Sequence, residues 1–166
     1  MKNMTSPAKN CSILLCALLL MAAGCKKDDP VPLPEDLHGN VERPTWSAPE
    51  VTDMTSSMTA VIKVEKLNDQ MVNDSIVNEA DLLAAFSGET CLGTAPLQDG
   101  LFFLYIASPT SYSDSGLTSN SEAVTLRYYS AHYKNLFEAK DAFYFHNDDR
   151  LGTVAAPIVP SFVVVK

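Results

Sequence analysis

Residues 50–166 read as one all-β domain, an antiparallel β-sandwich of immunoglobulin-like or jelly-roll-like form with at most one short helix. Three observations predict it. Apolar and polar residues alternate at period two over 58–65 and 124–128. A turn signal, Gln98-Asp99-Gly100, separates two strand-like runs, and the chain ends in the β-branched run Phe162-Val163-Val164-Val165.

In the first run, Met58, Ala60, Ile62 and Val64 fall on one side while Lys63 and Glu65 point the other way. That is the mark of a strand with one face on a core. Asn78-Glu79-Ala80-Asp81 has the composition of a helix cap, but Ser87-Gly88-Glu89 stops the following apolar run too soon for a helix. A turn leading into a strand at Leu83–Phe86 is expected. Residues 90–96 and 101–107 flank Asp99-Gly100 as a hairpin. Leu101 to Ala107 is apolar at both parities, which predicts a central strand covered on both faces.

Further on, Val124, Leu126 and Tyr128 alternate with outward Thr125 and Arg127. Tyr133, Leu136 and Phe137 have helical spacing, whereas 142–145 reads as strand. Asn147-Asp148-Asp149 is the composition of a hairpin turn. Pro160 opens the last strand, where a missing N–H does little harm. The serine-rich segment 108–121 is a long loop and a natural tip.

The N-terminal part has a different organisation. Lys2 and Lys9 are the only charges before an apolar run from Ile13 to Ala23. That run is well short of the about 20 residues a spanning helix needs, so residues 1–24 are an export signal and not a membrane span. Residues 25–49 then read as a tether. Pro30, Pro32, Pro34, Pro44 and Pro49 fall within it, and its apolar residues show no period. About twenty residues of such chain, at about 3.1 Å each, would span about 60 Å. Trp46, the lone tryptophan, reads as a plug against one end of the domain.

Leu20-Met21-Ala22-Ala23-Gly24-Cys25 resembles the lipobox of bacterial lipoproteins. The resemblance implies lipid attachment at Cys25, with cleavage before it and acylation of the freed amine. Multiple acyl chains, at about 0.8 kcal/mol per buried CH₂, hold a protein to a membrane almost irreversibly. Lys26-Lys27-Asp28-Asp29 resembles the signal that sends lipoproteins of the Bacteroidota to the outer membrane surface, and Asp74-Ser75-Ile76 resembles the site at which these bacteria O-glycosylate exported proteins, at Ser75. The run 81–93, with Pro44, Trp46 and the later Leu151-Gly152-Thr153, is similar to uncharacterised all-β modules of exported bacterial proteins. That likeness implies a fold and no activity.

Charge and cysteine content agree with an exported body. The chain carries 12 basic and 20 acidic residues, a formal −8, which argues against nucleic acid as a partner. Loss of residues 1–24 removes two lysines and no acid, leaving −10. The membrane partner is therefore reached through covalent lipid and not through the protein surface, which anionic headgroups repel. After Cys11 and Cys16 leave with the signal and Cys25 is lipidated, Cys91 is the one remaining thiol.

No catalytic motif is present: no Gly-x-Ser-x-Gly elbow, His-Glu-x-x-His, phosphate loop or dinucleotide fingerprint. No cofactor or metal ligand set is expected. His38 lies in the tether, His132 in a polar turn, and His146-Asn147-Asp148-Asp149 lacks the spacing of a calcium loop. Arg127 and Tyr129 share a strand face and Tyr112 sits in the long loop, so these three are the candidate glycan-binding residues. The sequence thus reads as a non-catalytic, surface-exposed outer-membrane lipoprotein with a recognition or assembly role, its partner a glycan or an envelope protein. An adhesin subunit joined through a sheet edge, or an accessory domain of a hydrolytic system with its site in 108–121, are the alternatives.

Overall fold

The computed structural model describes residues 37–48, 50, 56–108 and 123–165. All of them belong to the unit Leu33–Lys166. The fold is all-β, and no α-helix occurs among the described residues. Eleven strands follow one another: β1 (Ser56–Ile62), β2 (Lys66–Leu67), β3 (Gln70–Met71), β4 (Leu82–Ser87), β5 (Thr90–Gln98), β6 (Leu101–Ser108), β7 (Ala123–Ser130), β8 (Asn135–Ala139), β9 (Phe143–Tyr144), β10 (Arg150–Leu151) and β11 (Ser161–Val164).

The hydrogen-bonded order is β10-β1-β6-β5-β4-β7-β8-β11-β2-β3, with β9 added to β7. Strand β5 turns the corner between two layers: its first part pairs with β4, and Leu97 and Gln98 pair with Phe102 and Leu101 of β6. The two layers then face each other, as Phe102 of β6 meets Tyr128 of β7 edge-on at 6.0 Å between ring centroids. Around that contact lie Phe137 and Phe162, whose rings sit 6.1 and 5.6 Å from Tyr128. The core is thus the apolar parity of both layers, closed over by a sandwich-like arrangement.

Several expectations hold. The alternation in β1 and β7 appears as alternating burial, and β4 follows a turn in which Asp81 N–H donates to Asn78 O. Asp99 and Gly100 both have positive φ, 50° and 77°, the two-residue turn whose twist suits a hairpin. The hairpin arms come unusually close further along: a Cβ at Gly93 would lie 2.0 Å from the carbonyl oxygen of Tyr105. Only glycine fits there.

Four expectations are corrected. Not every pairing is antiparallel: β1 pairs β10 and β11 pairs β2 in parallel. The 146–149 segment turns, with Asp148 at φ 60°, but it is no hairpin; it carries the chain from β9 beside β7 to β10 beside β1, in the other layer. Strand β6 is not covered on both faces, since Phe103 and Tyr105 are 43% and 47% exposed.

The fourth correction concerns the tether. Residues 37–46 form a strap on the body, so the folded unit begins before residue 50. Leu37 is fully buried, Gly39 and Val41 donate their N–H groups to the carbonyls of Tyr133 and Lys134 (2.9 Å each), and Asn135 Nδ2 donates to Leu37 O (3.0 Å). Arg43 Nε donates to Ala80 O at 3.0 Å. The strap carries no strand or helix period because it is irregular backbone, held by its partners and not by its own repeat.

Candidate functional site

Two sheet faces bear on the glycan-binding residues expected from sequence. On the outer face of the larger layer, register sets Leu82 beside Tyr129, Ala84 beside Arg127, and Arg127 beside Glu138. Arg127 and Tyr129 do share this face, but it is closed. Tyr129 is only 5% exposed, and its hydroxyl donates to Val41 O of the strap at 3.4 Å. Arg127 Nε donates to Glu138 at 3.1 Å, while its two terminal nitrogens fork onto Glu89 at 3.1 and 3.2 Å. The guanidinium also lies 4.4 Å over the Phe86 ring, whose neighbouring ring is Trp46 at 5.4 Å.

Four of the five N–H donors of that guanidinium meet acceptors on Glu138, Glu89 and the carbonyl of Gly88. The neighbouring cation holds the Glu89 carboxyl below its ordinary range. Arg127 and Tyr129 therefore tie β7 to its neighbours and to the strap, and little of the face they share is open. Trp46 packs against the body as expected. Tyr112 and Cys25 lie outside the described residues. Ser75 is exposed on the turn that follows Asn73, whose side chain accepts its N–H at 3.1 Å. Cys91 is half-buried, its S–H donating to Gly93 O at 3.6 Å; burial pushes its thiol up, away from thiolate reactivity.

The other face is open. Along β6, Leu101, Phe103 and Tyr105 point to one side because alternate residues do. Opposite them on β1 stand Val61, beside Phe103, and Thr59, beside Tyr105; Arg150 of β10 flanks Thr59. Two aromatic side chains about 7 Å apart along the strand thus stand on this face, each with nearly half of its surface open.

The stripe leads into a cleft of about 520 Å³ at Leu101. Its apolar lining is Val64, Val77, Leu97, Leu101 and the loop residues Val154 and Pro157, with Lys63, Asp74 and Asp99 as its charged groups. Chain geometry assembles it: the Asp99-Gly100 turn brings one wall, and the 152–158 loop is tied to β1 by Ile158 N–H to Val61 O (2.9 Å) and Lys63 N–H to Ile158 O (2.8 Å).

Lys63 Nζ bonds Glu65 Oε1 at 2.6 Å, and that bond, with the charges of Glu65 and Asp74, holds its ammonium above the ordinary lysine range. Lys63 and Glu65 cancel as charges, which leaves the carboxylates of Asp74 and Asp99 facing the cleft. Among the described residues neither carboxylate has a side-chain bond, so both retain acceptor capacity. The arrangement suits a ligand with flat C–H faces and many hydroxyls: rings for stacking, then hydrogen-bonding groups of both signs.

Period-two reading located the strand but mistook its second apolar parity for buried surface. The i, i+2 pair Phe103 and Tyr105, with Thr59 as a polar neighbour, was the available signal. Comparison with protein families, with curated proteins and with solved structures gives no match for the chain.

Proposed function

We propose that this chain is a lipid-anchored protein of the outer membrane surface, attached through Cys25, whose sandwich recognises saccharides on the open β1/β6 face. The observation that carries the reading is the pair of solvent-exposed rings, Phe103 and Tyr105, leading into a cleft with polar walls. Large exposed aromatics cost solubility, and a patch of them beside hydrogen-bonding groups is a common form of binding surface. The role is non-catalytic: saccharide stacks on the rings while Lys63, Asp74 and Asp99 orient its hydroxyls.

Edge-strand assembly has weaker support. The end strands β3 and β10 are two residues each, a short ladder for an incoming strand. An accessory role with a site in 108–121 rests on residues that, apart from the buried Ser108 at the end of β6, lie outside those described.

Residues 26–166, tested on a glycan array and by pull-down from envelope extracts, decide between these. Retention of an oligosaccharide that Phe103→Ala or Tyr105→Ala weakens supports the reading. Silence on glycans with recovery of a single envelope protein overturns it in favour of assembly. For the anchor, Cys25→Ala abolishes labelling by a palmitate analogue; label that persists refutes acylation there.

A further inference from the structure

The strap and the turn after β7 bring together His38 and His132, two of the three histidines that follow the export signal and far apart in sequence. Their ring centroids lie 5.7 Å apart with the planes inclined at 47°. Both rings rest edge-on against Tyr133, at 5.0 Å for His38 and 4.8 Å for His132, so one buried tyrosine supports the two imidazoles side by side. Hydrogen bonds on either side hold the frame: the backbone bonds Gly39 N–H to Tyr133 O and Val41 N–H to Lys134 O, and the side-chain bond Asn135 Nδ2 to Leu37 O. Both histidines are exposed, open to ions from solvent.

We infer that His38 and His132 form a two-imidazole site for a divalent transition metal of the Zn²⁺ or Cu²⁺ type, which prefers nitrogen ligands. The spacing is the reason. With metal–nitrogen bonds of about 2.0–2.1 Å each ring centroid sits about 3.2 Å from the ion, so the two centroids are about 5.2 Å apart at the tetrahedral angle and about 5.7 Å at about 125°. The observed separation falls in that range without movement of the backbone. Water completes the coordination, since among the described residues no third histidine, cysteine or carboxylate joins the pair.

Asp81 is the nearby anion, interacting electrostatically with His132. Its carboxylate is occupied by Tyr128, Asn78 and Ala131, so it favours a cation at His132 without ligating it. Lys134 at the end of the same turn is the opposing charge. A bound ion fastens the strap, and with it the chain running toward the anchor, to the β7–β8 turn.

The test titrates the full chain with Zn²⁺ at pH 7.5 by calorimetry, in wild type and in His38→Gln, His132→Gln and His146→Gln, with circular dichroism confirming that each variant folds. One equivalent of Zn²⁺ is expected, at least tenfold weaker in His38→Gln and in His132→Gln and unchanged in His146→Gln. Cu²⁺ substituted for Zn²⁺ should show hyperfine coupling to two imidazole nitrogens in wild type and to one in each of the first two variants. No binding at millimolar Zn²⁺ overturns the assignment. So does equal affinity in all four proteins, or a loss in His146→Gln as large as in the other two.

Discussion

The hydroxyl of Tyr128 donates to the carboxylate of Asp81 at 2.5 Å, in a place where neither residue reaches solvent. The same carboxylate accepts the N–H groups of Ala131 at 2.8 Å and Asn78 at 3.0 Å. One side chain thereby joins the turn before β4, the core of the larger layer and the turn after β7. Burial raises the Asp81 carboxyl above its ordinary value, against the pull of its three hydrogen bonds, and the same burial with the adjoining anion raises the Tyr128 phenol.

Asp81→Asn puts an amide where donors converge, and should cost about 2–4 kcal/mol at neutral pH by leaving buried donors unpaired. Its pH dependence has a definite sign. Because the folded value is raised, the stability linked to Asp81 is complete below about 3.9, its unfolded value, and is lost as pH rises through the folded value. Urea melts of wild type and Asp81→Asn should therefore show a gap that widens from pH 7.5 toward pH 4. A gap that narrows on acidification would mean the folded carboxyl is depressed.

Leu37→Ala tests whether the strap belongs to the body. Leu37 is fully buried in the main core cluster, so truncation should cost about 2–4 kcal/mol. A tether residue would cost almost nothing. Trp46 sits on the same strap against Phe86, and its fluorescence should report the loss in the same transition as circular dichroism. Stability within experimental error of wild type would return residues 37–46 to the linker.

Gly93→Ala should be disruptive although its side chain is a single methyl. The new Cβ meets a backbone carbonyl of β6, at Tyr105, which cannot rotate away. Separation of the hairpin arms should cost about 1–3 kcal/mol. It also shifts the strand that carries Phe103 and Tyr105, so saccharide retention should fall with it. Undiminished retention in a destabilised Gly93→Ala protein would detach the aromatic stripe from ligand binding.

Charge should select among saccharides. With Lys63 paired to Glu65, Asp74 and Asp99 set the sign of the cleft in a chain of formal charge −8. Neutral or amine-bearing oligosaccharides should bind several-fold more tightly than uronates of the same length, and added salt should shrink the difference. Asp74→Asn with Asp99→Asn should also shrink it. Tighter binding of uronates would contradict the proposed polarity.

Much of the fold could be read along the chain because strand parity is a local property. Val124, Leu126 and Tyr128 are buried where alternation puts them, and Asp99-Gly100 turns where its φ values allow. The site was less legible. Arg127 and Tyr129 have the composition and spacing of a binding face, but partners from β8, from the β4–β5 turn and from the strap enclose them. Phe103 and Tyr105 have the composition of a core, and are open because, among the described residues, no layer lies over that side of β6.

By itself the sequence determined an all-β body, with strands expected at 58–65, 83–86, 90–96, 101–107, 124–128, 142–145 and 162–165, since period, turn chemistry and chain direction are properties of near neighbours. The tertiary structure alone decided which parity of β6 meets solvent, that residues 37–46 fold onto the body, and that His38 meets His132. Each of those outcomes depends on which distant segment arrives to cover a given face, and the free energy of covering it belongs to both segments together.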